Sequence, residues 1–153
     1  MNEMNLYLIQ HGLSLPEEKD PGRPLSPEGE EQTRKIAEFL KSKKIRVDCL
    51  WHSPKLRAIQ TARIISESIS CAEIHQRNDL SPLDSVSEFP HKIKSLNKNL
   101  MIVGHLPFLQ KLAALLLTGT EDHKMISFKY SGVVCLEYTD TWKIAWMIVP
   151  EVA

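Results

Sequence analysis

Short apolar runs that stop abruptly at a polar step, each followed by a helix-start signal, recur along this chain and restrict its fold more than any other feature. Residues 6–9 (Leu-Tyr-Leu-Ile) end at Gln10-His11-Gly12, a run near 47–51 ends at His52-Ser53, and 100–103 (Leu-Met-Ile-Val) ends at Gly104-His105. Such runs are too short for helices and suit strands buried on both faces, as in a parallel sheet. A loop over 15–24, rich in proline, glycine and charge, follows the first run. Ser26-Pro27 then supplies an N-cap and a proline at the first helical position, and Thr33, Ile36, Ala37 and Leu40 continue at helical spacing, predicting a helix over 27–43. Ser53-Pro54 repeats that signal before Ala58, Ala62, Ile65 and Ile69. The third run precedes a helix carrying Phe108, Leu112, Leu115 and Leu116. Weaker patterns predict a strand over 73–76 and a helix over 85–96. The segments 132–138 and 143–149 read as a hairpin turning at Thr139-Asp140-Thr141. The expectation is a three-layer α/β sandwich, with a mostly parallel central sheet, helices on both faces and a C-terminal antiparallel hairpin.

At 153 residues the chain has the size of one domain, expected over 1–153. Lys plus Arg equals Asp plus Glu at 19 each, so no overall field attracts nucleic acid or an anionic membrane, and any anion site must be built locally. Cys49, Cys71 and Cys135 are scattered, cannot all pair within one chain and suit a reducing cytoplasm. Met1-Asn2-Glu3-Met4 lacks the basic region of a signal peptide, and no apolar stretch is long enough to span a membrane. No residue pattern bears on oligomeric state, for which a monomer is the default expectation.

Parallel sheets bind ligands at the carboxyl ends of their strands, where His11, His52-Ser53 and His105 fall. A single histidine there is more often a loop residue than a nucleophile. Two at analogous strand ends can flank one anion. A neutral imidazole attacks phosphorus without a separate base, and a second, if protonated, can donate to the phosphoryl oxygens. Gly12 allows close backbone approach beside His11. Arg57, in the first turn of the second helix, opposes the helix dipole unless an anion sits there to satisfy both. Arg23 in the long loop is a second candidate clamp. A zinc pair is the competing reading, but no Cys, Asp or Glu completes a ligand set at suitable spacing.

Three blocks of this sequence, 8–12 (Leu-Ile-Gln-His-Gly), 53–62 (Ser-Pro-Lys-Leu-Arg-Ala-Ile-Gln-Thr-Ala) and 103–105 (Val-Gly-His), resemble in order the signatures of the histidine phosphatase superfamily, which includes the phosphoglycerate mutases. The short length, the segment 23–29 (Arg-Pro-Leu-Ser-Pro-Glu-Gly) and the ending His105-Leu106-Pro107 are most similar to the SixA-type phosphohistidine phosphatases. The resemblance implies a phosphoglycerate mutase-like fold. It also implies that His11 becomes phosphorylated, that Arg57 and His105 hold the phosphoryl oxygens, and that Arg23 adds a contact. Ser14 matches a position often Ser or Thr in the superfamily, and Gln60 and Thr61 would support the site. No metal or organic cofactor is implied.

Two positions depart from the family pattern. Gln10 stands where arginine usually precedes the histidine, keeping a hydrogen-bond donor but losing the charge and the two-pronged geometry. Larger members also carry a carboxylic acid that protonates an alcohol leaving group, whereas 80–84 (Leu-Ser-Pro-Leu-Asp) offers only Asp84. An alkoxide leaves poorly without a proton, but the imidazole of phosphohistidine has a near-neutral pKa and departs readily. The expected activity is therefore phosphohistidine phosphatase, acting on a phosphohistidine-containing protein. A small-molecule phosphomonoesterase and a non-catalytic phosphoprotein-binding homologue, weakened by Gln10, are the alternatives.

Overall fold

The computed structural model describes residues 3–153. Met1 and Asn2, part of the start read above as lacking a leader, lie outside the described residues. Six strands, β1 (Met4–Gln10), β2 (Arg46–His52), β3 (Ser70–Gln76), β4 (Leu100–Gly104), β5 (Val133–Tyr138) and β6 (Trp142–Ile148), form one sheet in the order β3-β2-β4-β1-β5-β6. β1, β2, β3 and β4 run parallel, while β5 and β6 add an antiparallel hairpin beside β1.

Four helices cover the two faces: α1 (Pro27–Ser42), α2 (Leu56–Ser66), α3 (Phe89–Leu96) and α4 (Phe108–Thr118). Side chains alternate along each buried strand. Leu6 and Leu8 of β1 and Leu100 and Ile102 of β4 join Phe89, Ile93, Phe108 and Leu112 on the α3/α4 face. Tyr7, Ile9, Met101 and Val103 join Ile36, Leu40, Ala58 and Ile65 on the α1/α2 face. The placement of helices follows from right-handed crossovers. The chain moves outward from β1 through β2 to β3 with α1 and α2 on one face. It returns inward to β4 with α3 on the other.

Ser26 caps α1 as expected: its hydroxyl accepts from Gly29 N at 3.0 Å, with Pro27 in the first turn. The same hydroxyl donates to the Leu13 carbonyl at 3.2 Å, fastening the helix start to the segment just after His11. Gly29 is required by that contact, since a Cβ there would overlap the Leu13 carbonyl.

Three elements differ from expectation. Ser53 is not the N-cap of α2: the helix starts at Leu56 with Lys55 at the cap and no side-chain cap bond. Helix α3 begins at Phe89 rather than 85 because the Ser85 hydroxyl pairs with that of Ser87 and accepts from Ser87 N, offering the backbone a turn in place of a helix. Strand β3 is longer than 73–76, and it lies at the sheet edge with most residues exposed, so its sequence carries little apolar signal.

Candidate active site

The parallel register sets Gln10 opposite Gly104, so the residues that follow, His11 and His105, emerge side by side. His11 N donates to the Gly104 carbonyl at 2.9 Å, and the two rings lie 5.0 Å apart between centroids at 54°. Strand β2 pairs with β4 on the other side and brings Ser53 to the same edge.

His11 is buried, and its Nδ1 lies 2.7 Å from the Gly12 carbonyl oxygen. A carbonyl only accepts, so Nδ1 carries the proton and the Nε2 lone pair is free. Burial lowers the His11 pKa from its ordinary 6.5 to about 4; the Gly12 hydrogen bond opposes the shift, and Arg57 and Arg23 reinforce it. Gly12 is held by a hydrogen bond from its N–H to Thr61 Oγ1 at 2.9 Å, and Thr61 Oγ1 donates to the Arg57 carbonyl at 2.8 Å. A Cβ on Gly12 would come within 2.8 Å of Thr33 Oγ1, so only glycine fits without displacement.

His105 is fully buried, and its Nε2 lies 2.7 Å from Ser53 Oγ, which also accepts from Lys55 N at 3.1 Å. When the Ser53 hydroxyl donates its proton to Nε2, the neutral ring carries its own proton on Nδ1; when the hydroxyl accepts from Nε2–H, Nδ1 is a free acceptor. Burial first, then His11, Arg57, Lys55 and Arg23, lowers the His105 pKa to about 3. Burial thus favours a neutral His105 ring, which can donate through Nδ1–H in the tautomer in which Ser53 donates to Nε2.

Arg57 occupies the first turn of α2, as expected, and burial followed by the charge of Arg23 lowers its pKa. Arg23 reaches the site from a loop closed by an isolated bridge between Ser14 and Leu25 and by Leu25 N donating to Gln60 Oε1 at 2.7 Å. Its backbone is left-handed, with φ of 49°, a conformation costing a non-glycine residue on the order of 1 kcal/mol. Ser14 stands behind Arg23: its hydroxyl accepts from the guanidinium at 3.2 Å and does not line the pocket.

Gln10, His11, Arg23, Arg57 and His105 form the polar floor of a pocket of about 390 Å³, with Pro82, Leu106 and Tyr130 completing its lining. Among the described residues, the buried side-chain polar atoms without a partner are Gln10 Oε1, Arg23 Nε, Arg57 Nε and His105 Nδ1. All four belong to this floor. Buried polar atoms are seldom left unpaired, so their convergence marks a place for a polar ligand. Among the described residues, no carboxylate lines the pocket. Asp84 is engaged elsewhere, its carboxylate accepting from Ser81 N at 2.8 Å within a turn.

Tyr130, and Ser53 in its contact with His105, were not foreseen as parts of the site. Tyr130 lies in the connection between α4 and β5, which carries no motif, and its ring centroid is 5.7 Å from that of His11. The Ser53-Pro54 step reads equally well as an ordinary helix start.

The family model for the histidine phosphatase superfamily (branch 1) matches residues 6–85, more than half of the chain. The phosphohistidine phosphatase SixA of Escherichia coli (strain K12) is 26% identical over 155 residues, spanning 96% of this chain and 94% of the relative. Among solved structures, the protein histidine phosphatase SixA complexed with tungstate superposes with a TM-score of 0.85 at 23% identity, covering 97% of this chain and 99% of that one. Phosphoglycerate mutase from Bacillus anthracis str. Sterne superposes with a TM-score of 0.69 at 14% identity, over 94% and 92% of the two chains. The fold is therefore SixA-like and phosphoglycerate mutase-like, as expected from the sequence. With more than half its length matched by the family model, this chain belongs to the histidine phosphatase superfamily.

Proposed function

We propose that this chain is a phosphohistidine phosphatase in which His11 takes the phosphoryl group from a phosphohistidine-containing protein. The observation that carries the reading is the set of unpartnered polar atoms around His11: Nε of Arg23 and of Arg57, Nδ1 of His105 and Oε1 of Gln10 belong to one pocket floor whose lining includes no carboxylate to repel an anion. The SixA structure named above holds tungstate, a tetrahedral oxyanion of the kind such a floor would bind.

Nε2 of His11 attacks phosphorus, forming a new N–P bond as the bond to the substrate imidazole breaks. The substrate ring, protonated on its second nitrogen before the step, departs as neutral imidazole with the electron pair of the broken P–N bond. Arg23 and Arg57 hold the equatorial oxygens, His105 donates through Nδ1–H, Gln10 contributes its amide, and Ser14 steadies Arg23. Water then attacks phospho-His11 and releases inorganic phosphate. The step needs no general acid at the leaving group, because imidazole is an adequate leaving group near neutral pH. That suits a pocket without a carboxylate and disfavours an alkyl phosphate. The chain would act as one domain, as a monomer in the cytoplasm, with neither metal nor organic cofactor.

The test is phosphate release from a phosphohistidine peptide and from an alkyl phosphate. Wild type should turn over the peptide far faster, and His11→Ala should lose that activity. Equal turnover by His11→Ala would refute the mechanism, and preference for the alkyl phosphate would refute the substrate class.

A further inference from the structure

Tyr130 is a large aromatic side chain left 43% exposed, yet the residues on both sides of it are held by backbone hydrogen bonds. The next residue, Ser131, is fully buried in a left-handed conformation with φ of 62°. Ser131 N donates to the Gln10 carbonyl at 2.9 Å, its hydroxyl pairs with Thr33 Oγ1 at 2.7 Å, and Gly132 N closes the turn onto the Lys129 carbonyl at 2.9 Å. A left-handed serine persists only where its surroundings over-determine it, and such positions concentrate at ligand-holding sites. The tie to Gln10 couples the turn to the strand end that carries His11. Tyr130 is thereby set with its ring 5.7 Å from that of His11, tilted at 46°. The rest of the pocket lining beyond the floor, Pro82 and Leu106, is apolar.

We propose that Tyr130 is a specificity residue: a platform against which the flat ring of the leaving group packs as the phosphoryl group moves to His11. The proposal rests on His11 being the phosphoryl acceptor. In-line displacement puts the leaving atom on the far side of phosphorus from Nε2, a few ångströms from the His11 ring and away from the floor. Tyr130 lines this pocket with its ring 5.7 Å from that of His11, so a leaving imidazole packed against its face would lie within the 4.5–7 Å centroid separation at which aromatic pairs attract. The phosphoryl group is recognised by the floor and the carrier ring by Tyr130. The substrate class this selects is a phosphoryl group carried on a planar ring, in preference to one on a flexible amine.

The discriminating probes share the P–N bond and differ in the ring: a phosphohistidine peptide and inorganic phosphoramidate. The readout is the ratio of their kcat/KM values in wild type, Tyr130→Leu and Tyr130→Phe. Tyr130→Leu should lower the ratio by roughly threefold to tenfold, the range of one aromatic pair, and Tyr130→Phe should restore it. An unchanged ratio in Tyr130→Leu would overturn the proposal. So would a loss in Tyr130→Phe as large as in Tyr130→Leu, which would make the hydroxyl the active part. Failure of wild type to turn over the peptide would instead overturn the phosphoryl-acceptor reading, and the proposal with it.

Discussion

Lowering the pH from 7 to 5 should destabilise this fold through two rings, His11 and His105. In the unfolded chain each takes up a proton near its ordinary pKa of 6.5; in the folded chain burial holds them to about 4 and about 3. Between those values the unfolded state binds more protons, so stability falls as the pH falls. The stabilisation attached to the neutral rings is fully present above about 6.5 and is lost as the pH drops through the folded values. At pH 5 an unfolded histidine is almost entirely charged and the folded one almost entirely neutral. That difference amounts to about 2 kcal/mol per ring relative to pH 7, and about 4 kcal/mol for the pair. Asp79, held at about 2 chiefly by its hydrogen bond from Arg77, begins to titrate only below this window and so does not confuse the measurement.

The assay is urea unfolding at pH 7 and pH 5 in buffers free of phosphate, because an anion in the pocket would favour the charged rings. The comparison protein is the double variant His11→Asn, His105→Gln. Asparagine sets an amide nitrogen where Nδ1 donates to Gly12, and glutamine sets its amide, with the oxygen able to accept the hydroxyl proton, where Nε2 meets Ser53, so both anchoring contacts can persist without a titrating ring. Wild type should lose about 4 kcal/mol more than the double variant between the two pH values. An equal loss in both proteins would show that the rings protonate freely in the folded state. It would also remove the physical basis for a neutral, attack-ready His11 at the floor of the pocket.

Gln10→Arg should tighten inorganic phosphate binding by tenfold or more in calorimetry, since a charge-assisted contact is worth about 1.5–3 kcal/mol; unchanged affinity would put this side chain out of the anion's reach. Ser53→Ala should release the proton position of His105, lowering peptide turnover by about tenfold. Nitrogen NMR of the ring should then show a mixture of tautomers, and a retained Nδ1–H form would mean that Ser53 does not set it.

The layers of this fold were legible because parallel strands buried on both faces leave unbroken apolar runs, and because Ser26-Pro27 is a helix start with a single physical reading. The edge strand β3 was blurred, since a strand exposed along most of its length needs no apolar code. Ser53 was misread for a different reason. Serine before proline satisfies a helix N-terminus as well as it satisfies a histidine one strand away, and only the β2–β4 pairing decides between them. The convergence of His11 and His105 followed from strand ends in a parallel sheet. The neutrality of His105 did not, because it depends on burial and on the closeness of His11 and Arg57. Tyr130 was invisible. Its position is set by the buried turn at Ser131, and nothing in the local sequence announces a left-handed serine.

The two departures from the family pattern oppose one another energetically. An arginine before the histidine adds one positive charge, and the carboxyl group of the larger members, once ionised, removes one. This chain has neither. Its pocket holds Arg23 and Arg57 with two imidazoles that burial keeps neutral, so in the proposed reaction two positive charges would face the two negative charges of a phosphoryl dianion. A carboxylate about 5 Å from that dianion would cost roughly 3 kcal/mol per unit of charge at an effective dielectric near 20. That is at least as large as the charge-assisted contact forgone at Gln10. Without an acid to offset, an arginine at position 10 is not needed to balance the anion, and the site remains matched in charge to a phosphoryl group whose leaving group requires no acid.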